Sequence, residues 1–170
     1  MLSYDIRSLE VTAATVDGLL PADDPIWQEG DPIPSAAVHV TGRISTAGPG
    51  RFYWHGRISG TTVHSCRRCL ADTTTQVADE AHLIFASAGD PDIDDPDVYM
   101  LGPRDKVLDL RPVVRELWLL SAPSFALCRE DCKGLCPTCG ADRNAGPCAC
   151  RPARDARWDA LYKAHAASDK

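Results

Sequence analysis

Six cysteines fall within the 23 residues from Cys128 to Cys150, and the other two stand far upstream in Cys66-Arg67-Arg68-Cys69. All eight group into close pairs: 66/69, 128/132, 136/139 and 148/150. Zn²⁺ takes four thiolates in a tetrahedron, and a C-x-x-C turn places two sulfurs on one ion. Gly140, directly after Cys139, suits such a turn because glycine accepts the positive φ at which the backbone folds back toward the thiolates. The pattern points to structural zinc with Cys66, Cys69, Cys128, Cys132, Cys136, Cys139, Cys148 and Cys150 as ligands. A disulfide framework would go with secretion, but the first seven residues have no basic n-region and no apolar h-region. A thioredoxin-like pair needs one C-x-x-C opening a helix, with a depressed thiol pKa, and eight paired cysteines exceed that requirement. The tighter cysteine run of an iron–sulfur site is missing.

A chain of 170 residues is one ordinary domain, or one domain with a small metal module. The apolar share of 44% is enough for a core that does not depend on metal. No apolar run approaches the roughly 18 residues of a membrane-spanning helix. The net charge of −6 is unevenly spread: residues 1–103 hold 6 Lys and Arg against 15 Asp and Glu, and residues 104–170 hold 12 against 9. Polybasic nucleic-acid binding by the whole chain is therefore not supported, and a local RNA contact is expected at the cysteine-rich end.

The fold class expected is α+β: an antiparallel β-meander or barrel-like sheet, a covering helix, and a C-terminal cysteine-rich zinc module. Residues 1–127 form the β-rich body with one helix over 107–121, and residues 128–170 form the zinc module and a last helix, packed on the body. Residues 4–16 read as a weakly alternating strand with Leu9, Val11 and Ala13 on one side. Asp17 to Ser35, with Pro21, Pro25, Pro32 and Pro34, reads as a loop or a poorly ordered insert that Ile26 and Trp27 pin to the core. Over 36–86 the pattern is a meander: a strand through Val38, Val40 and Ile44, a turn at Gly48-Pro49-Gly50, a strand from Arg51 broken at Gly60, a tight connection at Cys66–Leu70, and a strand from Thr73 to Phe85 rich in β-branched residues. The first cysteine pair thus sits at a hairpin tip.

The helix over 107–121 has Asp109 as its expected N-cap and Pro112 in the first turn. Leu110, Val113, Val114, Leu117 and Leu120 form its apolar stripe, and Pro123 stops it. After Pro152, Trp158, Leu161, Tyr162 and His165 recur at helical spacing; this last helix packs on the metal module or docks on a partner.

Five aspartates between Asp90 and Asp97 invite a calcium reading, but there is no glycine at loop position six and Leu101 stands where the bidentate glutamate belongs, so a solvated acidic loop is expected. P-loop, dinucleotide-binding, nucleophile-elbow and zincin motifs do not occur. His39, His55, His64, His82 and His165 are scattered, and none pairs with a cysteine as a nucleophile–base couple. His64, two residues before Cys66, reads as a sheet-face histidine rather than a ligand. Arg67 and Arg68, held by the first turn, are candidate phosphate contacts; Lys133, Arg143, Arg154 and Arg157 join them as candidate partner contacts.

Taken together, Cys66-Arg67-Arg68-Cys69-Leu70 after a meander, the run Asp109 to Glu116, the K-G-L-C-P-x-C-G block ending at Gly140, Cys148-Ala149-Cys150, Asp155 to Trp158 and Asp5 to Leu9 near the start resemble the YceD-like family. The resemblance spans nearly the whole chain, and the K-G-L-C-P-x-C-G block is its most specific part. It implies a non-catalytic cytoplasmic factor that supports assembly of the large ribosomal subunit and accumulation of its ribosomal RNA. The implied partner is precursor RNA, a ribosomal protein or an assembly factor, with no membrane and no small-molecule substrate. The acidic front half makes a basic ribosomal protein as suitable a partner as RNA. The alternative is a redox- or zinc-responsive regulator whose cysteine pairs cycle between thiol and disulfide. A hydrolase with catalytic zinc is a weaker third, because four-cysteine sites are usually closed.

Eight thiolates suffice for two zinc ions. One division joins Cys136 and Cys139 with Cys148 and Cys150, and staples Cys66 and Cys69 to Cys128 and Cys132; closing so long a loop would stabilise the fold by about 3–5 kcal/mol, by analogy with a disulfide. A single-zinc arrangement would leave half the cysteines free. Spacing does not decide which pairs meet.

Overall fold

The computed structural model describes residues 1–87, 90, 95, 97–150 and 156–158. Its centre is the meander. Strands β2 (Ala14–Leu20), β3 (Val38–Gly48), β4 (Arg51–Ser65) and β5 (Asp72–Ser87) pair antiparallel in sequence order, and the short β6 (Val98–Leu101) joins β5 in parallel. The sheet is therefore mixed and open, with β2 and β6 at its edges, and not a closed barrel. A two-stranded ribbon of β1 (Ser3–Asp5) and β7 (Val107–Asp109) lies beside it.

Alternation along the long strands sets the core. Val38, Val40 and Ile44 of β3, Phe52, Trp54 and Ile58 of β4, and Val77, Ala81, Leu83 and Phe85 of β5 are buried on one face. Helices α1 (Ile6–Val11) and α2 (Arg111–Ser121) cover that face through Leu9, Val113, Val114 and Trp118. The opposite face is left to Arg43, Tyr53, His55, Arg57, Glu80 and His82. Among the described residues no helix is long and apolar enough to cross a membrane.

Several expectations are corrected. The single strand over 4–16 is a strand, a helix and a second strand: the Asp5 carboxylate accepts the Ser8 N–H at 2.9 Å and caps α1, burying Leu9 and leaving Val11 exposed. The covering helix begins at Arg111, not at 107, because Val107–Asp109 is held as a strand against Ser3–Asp5. Leu110 takes the cap position, and Asp109 instead accepts the Arg111 N–H at 3.0 Å and grips its guanidinium. Trp118, one turn beyond Val114, anchors the helix, while Leu120 lies off that stripe and is 76% exposed.

Gly60 does not break its strand. β4 runs through it, and a Cβ there would come within 2.9 Å of Trp118 Cζ3, so the missing side chain is what lets α2 lie against the sheet. The proline-rich segment is pinned as expected, and more firmly. Trp118 Nε1 donates to the Pro32 carbonyl at 2.6 Å, Trp27 meets Trp118 edge-on, and Arg115 grips both oxygens of Asp31. Of the expected acidic loop, only Asp90, Asp95 and Asp97 are described; Asp90 pairs with Arg51 at 3.2 Å. Of the expected last helix, Ala156–Trp158 forms a 3-10 turn, and its other residues, Arg154 among them, lie outside the described residues.

Candidate metal centre

The first cysteine pair sits where β4 passes into β5. The Cys66 N–H donates to the Ala71 carbonyl at 2.8 Å, and the Leu70 N–H donates to the Cys66 carbonyl at 2.9 Å. The third pair repeats this turn bond for bond: Cys136 N–H to Ala141 O at 2.8 Å, and Gly140 N–H to Cys136 O at 2.9 Å. The residue after the second cysteine is left-handed in both, at φ 72° for Gly140 and φ 61° for Leu70. Glycine takes that conformation freely, whereas an L side chain holds it at a cost of about 1–2 kcal/mol.

Backbone bonds then bring the downstream chain to the first turn. Arg67 N–H donates to the Ala126 carbonyl at 3.0 Å, and Leu135 N–H to the Arg68 carbonyl at 2.9 Å. The result is two groups of four sulfurs, Cys66/Cys69/Cys128/Cys132 and Cys136/Cys139/Cys148/Cys150, each with all its Sγ atoms within 4.8 Å of one another. This is the stapled division of the ligands. Cys66 lies 3.9 Å from Cys132 and Cys69 lies 3.6 Å from Cys128, and all eight are free thiols. A metal–sulfur bond of about 2.3 Å in a tetrahedron implies sulfur separations of about 3.8 Å, so the first group already has the size of a tetrathiolate site. His64 is not drawn in; its Nε2 is buried without a hydrogen-bond partner.

The electrostatics fit a divalent cation. N–H groups of Cys128, Cys69 and Arg68 aimed at the Cys66 sulfur bring its pKa down to about 6. The N–H groups of Cys139 and Thr138 do the same for Cys136, also to about 6. Loss of water around the sulfur and the neighbouring Cys132, Cys69 and Cys66 thiols push Cys128 up to about 12, although the residue as a whole is exposed. Cys150 is pushed up to about 12 by Cys139 first and by loss of water second. Against the loss of water around its sulfur, the Asn144 amide and the Gly134 N–H also lower Cys132. Within each group, then, some thiols are held down and others pushed up by their neighbours, a conflict that a central cation would remove. The donors, four soft sulfurs and nothing else, suit zinc.

The candidate partner residues divide. Arg68 Nη1 donates to the Glu130 carbonyl at 3.1 Å and the Cys132 carbonyl at 2.9 Å, so its charge braces the two halves of the first site. Arg67 lies 4.2 Å over the exposed Phe125 ring. Lys133 and Arg143 are exposed on the module, and Arg157 is exposed in the 3-10 turn. One residue that the cysteine pattern did not reveal is Asn144. Its Oδ1 accepts the Lys133 N–H at 2.7 Å and an Arg129 Nη2–H at 2.8 Å, while its Nδ2 reaches Cys132 Sγ at 3.5 Å. It thereby ties the loop of the second group to a ligand of the first. The only signal for it in the sequence is the Asp142-Arg143-Asn144 turn, in which Asp142 Oδ1 accepts the Asn144 N–H.

Residues 54–163, which include all eight cysteines, match the model of the family described as Large ribosomal RNA subunit accumulation protein YceD. The chain is 40% identical over 73 residues to a Large ribosomal RNA subunit accumulation protein YCED homolog 1, chloroplastic, of Zea mays, covering 42% of this chain and 25% of that one. It is 31% identical over 111 residues to uncharacterised proteins of Mycobacterium bovis and Mycobacterium tuberculosis, covering 64% of this chain and 53% of theirs. The chain thus spans between a quarter and about half the length of these relatives. No solved structure matches it.

Proposed function

The chain belongs to the YceD family, whose name ties it to accumulation of the large-subunit ribosomal RNA, and on that premise we propose that it is a non-catalytic cytoplasmic factor supporting assembly of the large ribosomal subunit, with one structural Zn²⁺ in each cysteine group. The observation that carries this reading is the family match across the segment that holds both groups. Cys66, Cys69, Cys128 and Cys132 would hold one ion, and Cys136, Cys139, Cys148 and Cys150 the other. Zinc there would supply a closed cross-link. Four protein thiolates fill a tetrahedral ion and leave no position for a reacting water, which argues for a scaffold and against a hydrolase.

The first site would join the tip of the β4–β5 hairpin to the segment that follows α2. The second would close the small module on itself. Together they turn a cysteine-rich tail into a rigid surface next to the sheet, suited to a precursor particle made of RNA and basic proteins.

The test uses full-length protein purified from cells in which the endogenous gene is deleted and complemented. The expected result is two equivalents of zinc per chain and co-sedimentation with immature large subunits. Absence from every precursor fraction, with normal levels of large-subunit RNA in the deletion strain, would overturn the assembly role. Rapid loss of two thiols with metal release under mild oxidant would favour a redox regulator instead.

A further inference from the structure

The cations of the acidic front half are few and concentrated. All six Lys and Arg of residues 1–103 are arginines. Arg67 and Arg68 belong to the first cysteine turn. Three of the remaining four, Arg43, Arg51 and Arg57, point from β3 and β4 to the sheet face that no helix covers among the described residues. Arg51 pairs with Asp90, whereas neither Arg43 nor Arg57 has an ion-pair partner among the described residues.

Register places aromatic rings between these charges. Arg43, His55 and His82 are direct cross-strand neighbours on β3, β4 and β5. The two imidazoles stack with centroids 4.4 Å apart and planes 17° apart. Tyr53, in the next row, has its hydroxyl 2.7 Å from His82 Nδ1. Beside this wall is a shallow cavity of about 260 Å³ bordered by Thr41, Arg43, His55, Arg57 and Glu80, with the backbone of Gly42 and Gly56 as its floor. The face thus presents exposed imidazole rings, two guanidinium groups at neighbouring register positions, and a carboxylate able to accept from an amino group.

We propose that this open sheet face, centred on His55 and His82, binds single-stranded RNA, with bases stacked on the imidazole wall and phosphates met by Arg43 and Arg57. The proposal rests on the assembly role above and locates its RNA contact on the sheet, away from the cysteine-rich end where the charge distribution of the sequence placed it. Unpaired bases offer faces for stacking, which a duplex hides, so the face selects single strands. An acidic protein segment would satisfy the arginines but leave the stacked rings without a use.

The experiment titrates the full-length, metal-replete protein into a 5′-fluorescein 12-nucleotide RNA of mixed sequence, and into the same RNA as a duplex, at several KCl concentrations, reading anisotropy. The single strand should bind more tightly than the duplex. His55→Ala should weaken it by about 5- to 100-fold, as loss of a stacking partner does. Arg43→Gln with Arg57→Gln should reduce the slope of log K against log salt by about 1.4, at roughly 0.7 per phosphate contact on a single strand. All three residues are exposed, so circular dichroism and zinc content should match the parent. If these variants bind like the parent while Lys133→Gln with Arg143→Gln abolishes binding, the RNA contact is on the metal module and the proposal fails, though the assembly role stands. If no RNA binds, yet the sheet variants lose a large-subunit protein from precursor particles, the face takes a protein and the proposal again fails. If the parent neither binds RNA nor sediments with precursors, the assembly role fails too.

Discussion

Replacing Cys128 and Cys132 together by serine opens the first cysteine group and leaves the second intact. Cys69 and Cys128 are 59 residues apart, and the loop between them contains β5, β6, β7 and α2. The loop-entropy relation for a cross-link of that length gives about 4 kcal/mol at 25 °C. Among the described residues, none beyond Trp118 joins the main hydrophobic cluster, so the variant keeps its core packing and gains freedom chiefly in the unfolded chain. With each kcal/mol moving Tm by about 2–4 °C at this size, the midpoint should fall by about 8–16 °C. Serine in place of Cys148 and Cys150 opens only the short loop from Cys139, worth about 2–3 kcal/mol by the same relation, and that loop lies wholly outside the sheet. Its loss should release zinc and expose the module to protease while leaving the body's transition nearly unmoved. The assay is thermal unfolding followed by tryptophan emission, with Trp54 and Trp118 reporting on the core, beside zinc content by mass spectrometry. Equal falls in Tm for the two variants, or none for the first, would refute the assignment of the first group as the staple.

Gly60→Ala should destabilise the body by about 1–3 kcal/mol in chemical denaturation, because its Cβ meets the fully buried Trp118 ring at 2.9 and 3.1 Å, whereas Gly146→Ala, with open space around it, should be silent. Leu70→Gly relieves a left-handed leucine worth about 1–2 kcal/mol but adds unfolded-state freedom of about 0.5–1 kcal/mol, so the denaturation midpoint should rise slightly; a fall would show that the exposed leucine side chain holds the turn. The Arg115 guanidinium, donating to Asp31, holds that carboxyl below its usual range. A carboxyl lowered in the folded state contributes stability above its unfolded pKa of about 3.9 and loses it as pH falls through the folded value. Arg115→Gln should therefore lower stability at neutral pH and flatten its decline below pH 4, measured by denaturation across pH 2–7; an unchanged acid limb would show that this pair does not couple to folding.

The sequence by itself marked the eight cysteines as candidate metal donors and laid out the meander from Val38 to Phe85. The close pairing of the cysteines, two of the pairs as C-x-x-C, made all eight candidate donors legible, and alternating apolar residues from Val38 to Phe85 with a Gly48-Pro49-Gly50 turn specify a meander locally. What it left open depended on contacts between distant residues. The division of eight sulfurs into two groups was decided by Arg68 and Leu135 meeting through the backbone, and the bracing of the first site by Asn144 and Arg68, neither of which carries a metal-binding signature. Ser3–Asp5 and Val107–Asp109 became a ribbon only because the chain brought them together, which shortened the helix that propensity alone would have begun earlier. Gly60 reads as a strand breaker in one dimension and as the seat of Trp118 in three. The stacked histidines likewise exist only through register: 27 positions apart in the chain, they become neighbours because β4 and β5 pair as they do.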